Sequence, residues 1–67
     1  MTRLAEFMRA NGIKPLALAR EAGISRQHLL RMRKGIAQPT IRIAALLRDA
    51  CGRLVHRQLK LSDLFEV

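Results

Sequence analysis

The stretch PLALAREAGISRQHLLRMRKG, residues 15–35, decides the fold of this chain. Its apolar residues recur at helical spacing as far as Ala22, and Pro15 suits the first position of a helix. Gly23 then interrupts the pattern, because glycine readily adopts the left-handed conformation that ends a helix and turns the chain. Ser25 is a good N-cap for a second helix, which runs to about Lys34. The stretch therefore predicts two short helices joined by a tight turn.

The second of these helices has one apolar face and one polar face. Leu29 and Met32 share the apolar face, and Ile24, just ahead of the helix, is placed to pack on Leu29. Two helices that cross steeply come closest near Ala19, where only a small side chain fits. The remaining residues of the second helix are predicted to lie on its outer faces: Arg26, Gln27, His28, Leu30, Arg31 and Arg33.

The segment LALAREAGISRQHLLRMRKG, residues 16–35, resembles the helix-turn-helix of the lambda-repressor-like (Cro/C1, XRE-type) family of DNA-binding proteins. The resemblance covers the larger, N-terminal part of the chain clearly. The residues that carry it are Ala19, Gly23, Ile24, Leu29, Met32 and the pair Lys34 and Gly35. It implies an all-α, compact domain of four to five helices, formed by residues 1–67, with the helix-turn-helix at about residues 15–34.

The same periodicity predicts a helix on each side of the helix-turn-helix. Residues 2–11 form the first, which Asn11 and Gly12 end; its apolar stripe is Leu4, Ala5, Phe7 and Met8. After a loop in which Ile36 is expected to anchor the core, Thr40 caps a helix that Gly52 is expected to end. The predicted inward stripe of that helix is Ile43, Leu46, Leu47, Ala50 and Cys51.

The C-terminal part of the chain is harder to assign. Residues 53–58 look like an insertion between the fourth helix and a tail, residues 59–67, that is found in many relatives. Ser62 is placed to cap a last turn of helix in this tail. Leu64 and Phe65 are expected to be partly exposed, and part of this end is expected to form a dimer contact.

Composition restricts the class of protein. A chain of 67 residues holds one domain with a modest core, which makes an enzyme with a walled cleft improbable. Thirteen Lys and Arg against five Asp and Glu give a net charge of +8 and favour a polyanionic partner. A ribosomal or membrane-surface protein shares such a charge. No Ser/His/Asp or Cys/His arrangement and no glycine-rich phosphate loop is present, so no enzyme is predicted.

Neither a cofactor nor a metal site is predicted. The single cysteine, Cys51, excludes an internal disulfide and is expected to be a buried thiol in a reducing compartment. A zinc site made of His28, Cys51 and His56 would need a fourth ligand and lacks the usual paired spacing. No apolar run approaches the roughly 20 residues that span a bilayer. We expect a cytoplasmic protein, and the resemblance implies a bacterial, phage or mobile-element source.

The resemblance places the base-reading positions at Arg26, Gln27 and Arg31. Their chemistry suits the task, since arginine makes two hydrogen bonds to guanine and glutamine two to adenine in the major groove. Leu30 occupies a position that is normally polar; it either touches a thymine methyl group or packs on a neighbouring helix or subunit. His28 either donates to a phosphate or is a surface histidine with no fixed role.

Further residues are predicted to hold DNA phosphates. Relatives often have a glutamine that grips a phosphate where Pro15 stands, and we expect the Leu16 N–H and Lys14 to replace it. Relatives also pair an arginine and a glutamate at the positions of Met8 and Arg33, so here Arg33 is expected to be released for phosphate. The full predicted phosphate-contacting set is Lys14, Leu16, Ser25, His28, Arg33, Lys34, Gln38 and Arg42.

The sequence thus predicts a sequence-specific regulator of transcription, most simply a repressor that binds a pseudo-palindromic operator in double-stranded DNA as a homodimer. Neither a membrane nor a small-molecule substrate is expected as a partner. One alternative is a protein-interaction module, such as an antitoxin-type partner protein, that uses Leu30, Leu54, Val55 and Phe65. Another is a non-specific nucleic-acid binder that relies on charge alone.

Overall fold

A computed structural model describes residues 2–66 of the chain. It contains α1 (Arg3–Ala10), α2 (Pro15–Ala22), α3 (Arg26–Arg33), α4 (Ile41–Val55) and a C-terminal 3₁₀ helix (Leu61–Asp63). The described range holds no strand. The predicted all-α architecture is therefore confirmed, and the two helices of the helix-turn-helix have the predicted positions.

Hydroxyl caps begin three of the four α-helices. The side chains of Thr2, Ser25 and Thr40 accept hydrogen bonds from the N–H groups three residues on, at donor–acceptor distances of 3.1, 3.0 and 3.2 Å. Each such cap contributes about 1 kcal/mol. Gly23 ends α2 with φ 73°, in the left-handed region, as the sequence predicts. Helix boundaries in this part of the chain are thus set locally.

The core lies where α2 meets α3 and α4, with α1 and the 3₁₀ helix closing its sides. Leu18, Leu29 and Leu47 are fully buried at its centre. Ala19 is 3% exposed, which agrees with its predicted place at a close approach of helices. Burial of each leucine contributes about 1.5–3 kcal/mol. The same apolar cluster therefore supports all four α-helices, and further buried members are Leu4, Met8, Ala22, Met32, Ala50, Cys51, Leu59 and Leu64.

Two apolar side chains predicted to be buried, Ile36 and Leu46, are exposed. Ile36 is 69% exposed instead of anchoring the core. The loop wraps the end of α3, with the N–H groups of Ile36 and Ala37 both bonded to the Arg31 carbonyl, and Ala37 packs on the core in place of Ile36. Leu46 is 39% exposed, because the inward face of α4 is centred on Ala44 and Leu47.

The helix α4 continues through Val55, so the prediction that Gly52 ends it is wrong. His56 ends the helix instead, in the left-handed conformation with φ 59°. The chain then folds back, and the Arg57 N–H donates to the Gly52 carbonyl at 3.1 Å. A Cβ atom on residue 52 would lie 2.8 Å from the Arg57 carbonyl oxygen. Glycine is therefore needed here for close packing of backbone, and the first half of the apparent insertion, residues 53–55, belongs to the last turn of α4.

The C-terminal segment closes the core instead of presenting a free apolar surface. Leu64 is 1% exposed, which contradicts its predicted exposure, and Phe65 is half-buried. Ser62 lies inside the 3₁₀ helix and is not its cap; Lys60 precedes the helix, and its N–H donates to Asp63 Oδ2 at 2.8 Å. Arg3 Nη1 donates to the Ser62 carbonyl at 2.9 Å. The tail is thus bonded to the start of α1.

We expect Gly52→Ala to lower the free energy of unfolding by about 1–3 kcal/mol, because the new methyl group would meet backbone that cannot move away cheaply. In an ordinary helix interior, replacing glycine with alanine instead raises the free energy of unfolding by about 1 kcal/mol. His56→Gly is the matched variant and should stabilise by up to about 1 kcal/mol, since glycine accepts φ 59° without strain. Urea denaturation measures both values, and a stabilising Gly52→Ala would contradict this packing.

Burial raises the pKa of the Cys51 thiol to about 11, because the thiolate is poorly solvated in the core. A pKa that is higher in the folded state gives stability that is present below the unfolded pKa and is lost as the pH rises through the folded pKa. The stability advantage of the wild type over Cys51→Ala should therefore shrink between about pH 9 and pH 11. Urea denaturation of both proteins at pH 8, 9.5 and 11 tests this; a constant difference would contradict it.

Candidate nucleic-acid interface

Helix α3 is held by its apolar face and by its N-cap residue, Ser25. Leu29 is fully buried and Met32 is 3% exposed, so the face that bears them is turned to the core. The Ser25 hydroxyl accepts the His28 N–H and fixes the beginning of the helix. These contacts set the rotation of α3 about its axis. The opposite face is consequently turned away from the protein.

The three predicted base-reading side chains lie on the outward side of α3. Arg26, Gln27 and Arg31 are all exposed. Gln27 and Arg31 lie one helical turn apart, and Arg26 lies in the first turn beside Gln27. The 3₁₀ helix packs on α1 and α4. The described part of the tail therefore does not cover these three side chains, which stay exposed. The structure thus brings together the residues that a helix would present to a major groove.

Two predicted phosphate contacts lie at the beginning of α2. Lys14 is exposed and precedes the helix without a side-chain cap bond. Leu16 belongs to the first turn, whose N–H groups have no partner within the helix and carry a partial positive charge. The Leu16 side chain is 46% exposed. The geometry is suitable for an anion at this helix end.

The other predicted phosphate contacts fall into two groups. The exposed group has side chains that reach solvent directly, and its members are Ser25, Lys34, Gln38 and Arg42. The half-buried group contains His28 and Arg33. The His28 main chain is used in the Ser25 cap, so only its imidazole is left for a ligand. Ser25 and His28 lie at the beginning of α3, whereas Arg33 and Lys34 lie at its end, where the chain leads toward α4.

Arg33 is less free than its sequence position suggests. Met8 is buried, as the replacement of an internal ion pair predicts. The Arg33 side chain is nevertheless half-buried, and its Nε has neither solvent nor an acceptor among residues 2–66. The Arg33 carbonyl accepts a hydrogen bond from Thr2 Oγ1 at 2.9 Å. Thr2 thus joins the start of α1 to the end of α3, a contact that sequence reasoning missed.

A second missed contact holds α2 in place behind α3. Arg53 Nε donates to Glu21 Oε1 at 2.6 Å, and Arg53 Nη2 donates to the Glu21 carbonyl at 3.0 Å. The pair joins the end of α2 to α4. Only the continuation of α4 past Gly52 makes this contact possible. The prediction that this helix ends at Gly52 therefore gave no reason to pair Arg53 with Glu21.

The charge of the interface is uniform in sign. From residue 22 to residue 48 the chain contains no Asp or Glu. The same interval carries six basic residues: Arg26, Arg31, Arg33, Lys34, Arg42 and Arg48. A continuous basic region attracts a polyanion and repels few of its phosphates.

A helix-turn-helix family model matches residues 4–54, which include α1, the helix-turn-helix and most of α4. The chain belongs to the helix-turn-helix family, in its XRE or lambda-repressor-like form. Comparison with curated proteins and with solved structures gave no match. Membership of this helix-turn-helix family indicates a DNA-binding regulator. Residues 55–67, which include the last residue of α4 and the tail, lie beyond the match.

The described part of this helix-turn-helix protein shows neither a cluster of metal ligands nor a membrane-crossing helix. Residues 2–66 contain no group of three or more His, Cys, Asp or Glu side chains that is arranged to hold a metal ion. Among the helices described, none has the length and apolar character needed to cross a membrane.

Proposed function

We propose that this helix-turn-helix protein is a sequence-specific regulator of transcription that binds double-stranded DNA through α3. One observation carries the proposal: Arg26, Gln27 and Arg31 are exposed together, while Leu29 and Met32 hold the opposite face of the same helix in the core. A helix supported in this way can enter the major groove with its polar face toward the bases. The net charge of +8 supplies the attraction to the duplex.

Base recognition follows from the chemistry of the three side chains. A guanidinium from Arg26 or Arg31 donates two parallel hydrogen bonds to O6 and N7 of guanine. The Gln27 amide donates to N7 and accepts from N6 of adenine. Each good bidentate contact discriminates against the wrong base by about 1–3 kcal/mol. Three such contacts specify only a short site, which favours the use of two copies of the domain.

Phosphate contacts position α3 without reading sequence. In this proposal the α2 N-terminus with Lys14 and Leu16 binds one backbone segment. A second set, on the other side of α3, contains Lys34, Gln38 and Arg42. Ser25, His28 and Arg33 complete the predicted contacts. All these groups except Arg33 and His28 are exposed without any rearrangement.

We propose that the protein binds a pseudo-palindromic operator as a homodimer, with two α3 helices about 34 Å apart. Leu64 is buried, so it is not available for the dimer contact that the sequence predicts at the C-terminal end, and we propose a different surface for that contact. Ile41 is 83% exposed and Ile36 69% exposed. Both flank Gln38, and Ile41 precedes Arg42, so a second copy seated on them would lie beside the predicted phosphate contacts. The two copies would then face adjacent half-sites.

Repression is the simplest mode of action, because a protein that binds an operator overlapping a promoter excludes polymerase without any chemistry. In this proposal residues 1–67 act as one domain, with no catalysis and no cofactor. The location that such a role requires is the cytoplasm.

We expect Arg31→Ala to relax the preference for one base pair of a selected operator, with a loss of about 1–3 kcal/mol of discrimination there. Lys34→Ala should instead weaken all sequences alike and lower the slope of log affinity against log salt by about one. The sites are first selected from random duplexes, and binding is then measured with single-base variants at several salt concentrations. Arg20→Ala, at an exposed arginine of α2 outside the predicted contacts, is the control.

The same measurements test the alternatives. The wild type should prefer its selected site over random DNA by about 10³ or more. Equal affinity for all duplexes would indicate a non-specific binder. If neither substitution alters DNA binding, a protein-interaction module is favoured. Leu54, Val55 and Phe65 pack on the core and Leu30 is half-buried, so such a module would use the exposed isoleucines instead.

We expect Ile41→Gln to weaken dimer formation and to lower the affinity for a two-half-site operator, while binding to a single half-site stays unchanged. Leu46→Gln is the matched control, since residue 46 lies about 140° away around α4. Analytical ultracentrifugation and titration of both duplexes at protein concentrations near the dissociation constant provide the readout. An unchanged monomer–dimer equilibrium in Ile41→Gln would place the dimer contact elsewhere.

A further inference from the structure

A cationic pocket lies between α1 and the end of α3. Its lining residues are Ala5, Arg9, Leu30, Arg33 and Lys34, and its volume is about 280 Å³. We call it the α1–α3 pocket. Arg9 lies outside the apolar stripe predicted for the first helix, and its presence beside Arg33 and Lys34 is a result of the tertiary structure.

The lining of the α1–α3 pocket suits an anion. Three of its five residues are cationic, and none is acidic. Ala5 is 6% exposed, and Leu30 is half-buried, so the apolar part of the lining limits access of water. A charge interaction in such a partly shielded position is stronger than the same interaction in open solvent. Guanidinium groups also bind the planar edge of a phosphate with two parallel hydrogen bonds.

The Arg33 side chain has an unmet hydrogen bond at this place. Its Nε–H is buried and has no acceptor among residues 2–66. A buried donor without an acceptor is costly, more so on a charged group. Arg33 also lines the pocket, so an oxyanion there would place a negative charge beside this partly buried guanidinium and offset the cost of burying it.

We propose that the α1–α3 pocket binds one phosphate of the DNA backbone, with Arg9 as a phosphate-binding residue; this rests on the proposed function. Gln27, Arg31 and Lys34 fall within about 60° of one another around α3 at 100° per residue. The pocket, which includes Lys34, therefore lies at the C-terminal end of the face that carries the predicted base-reading side chains. A duplex seated on that face places its backbone next to the pocket, and the footprint extends from α3 to α1.

The test is the salt dependence of DNA binding by Arg9→Gln. One lost phosphate contact lowers the slope of log affinity against log salt by about 0.9. Between 50 mM and 200 mM salt the wild type should therefore lose about 3.5-fold more affinity than the variant. The effect should be equal for the selected operator and for random duplexes. Arg20→Gln, the same change at an exposed arginine of α2 that does not line the pocket, should match the wild type.

A spectroscopic measurement reports on the pocket itself. The Arg33 Nε–H resonance is followed in ¹⁵N-labelled protein during addition of the operator duplex, and separately of inorganic phosphate at matched ionic strength. The duplex should shift this resonance in the wild type and shift it less in Arg9→Gln. Inorganic phosphate alone should leave it nearly unchanged, because one free anion lacks the support of the other phosphate contacts.

The outcomes separate this inference from the proposed function. An unchanged slope in Arg9→Gln, with Arg31→Ala still altering base preference, overturns the pocket assignment and leaves the proposed function standing. A wild type without preference for any duplex overturns both. A shift with inorganic phosphate and none with DNA identifies a site for free anions and overturns the DNA assignment. A lower slope together with a DNA-dependent Arg33 shift supports the inference.

Discussion

The burial of Leu29 and Met32 is the constraint on which the rest of this structure depends. These two side chains occupy one face of α3 and hold it against the core that α1, α2 and α4 supply. A short helix of eight residues is not stable in water by its own hydrogen bonds, so its conformation and its rotation both depend on this packing. If the helix turned by half a revolution, Arg31 would face the core and no polar surface would remain for DNA.

Several polar contacts keep the supporting helices in register with α3. Thr2 bonds to the carbonyl of Arg33, Arg53 holds the end of α2 through Glu21, and Arg3 binds the tail. These bonds are exposed or half-buried, so each contributes modestly. Their value is geometric, since they act at helix ends, where packing alone leaves some freedom. Arg53 and Arg3 are themselves basic residues, and both lie away from the interface.

Acidic and basic residues are separated along the chain. Acidic residues take part in contacts that hold the fold, whereas the segment that carries the interface is basic. Two of the five acidic residues hold a fold contact, Glu21 to Arg53 and Asp63 to the Lys60 N–H, and Asp49 pairs with its neighbour Arg48. The interval from residue 22 to residue 48 has only basic charges. The α1–α3 pocket extends that basic region to Arg9, because the packing of α1 on α3 brings together residues that are distant in sequence.

Local signals in the sequence were sufficient for the helix-turn-helix. Pro15, Gly23 and Ser25 act within one or two turns of chain, and their conformational preferences do not depend on the rest of the molecule. The apolar spacing of Leu29 and Met32 likewise indicates which face of α3 is buried. For these reasons the limits of α2 and α3, the left-handed Gly23 and the outward position of Arg26, Gln27 and Arg31 were all predicted correctly.

Only the tertiary structure decided how apolar and glycine residues elsewhere are used. An apolar residue in a loop carries no sign of whether it or its neighbour is buried, and the wrapping of the loop around the end of α3 selected Ala37 over Ile36. A glycine near a helix end can either end the helix or allow close packing of backbone. The chain folds back after His56, and this makes Gly52 a close-packing glycine. The α1–α3 pocket has the same origin. Its charges are visible in the sequence, but their proximity results from the crossing of two helices, which no local preference encodes.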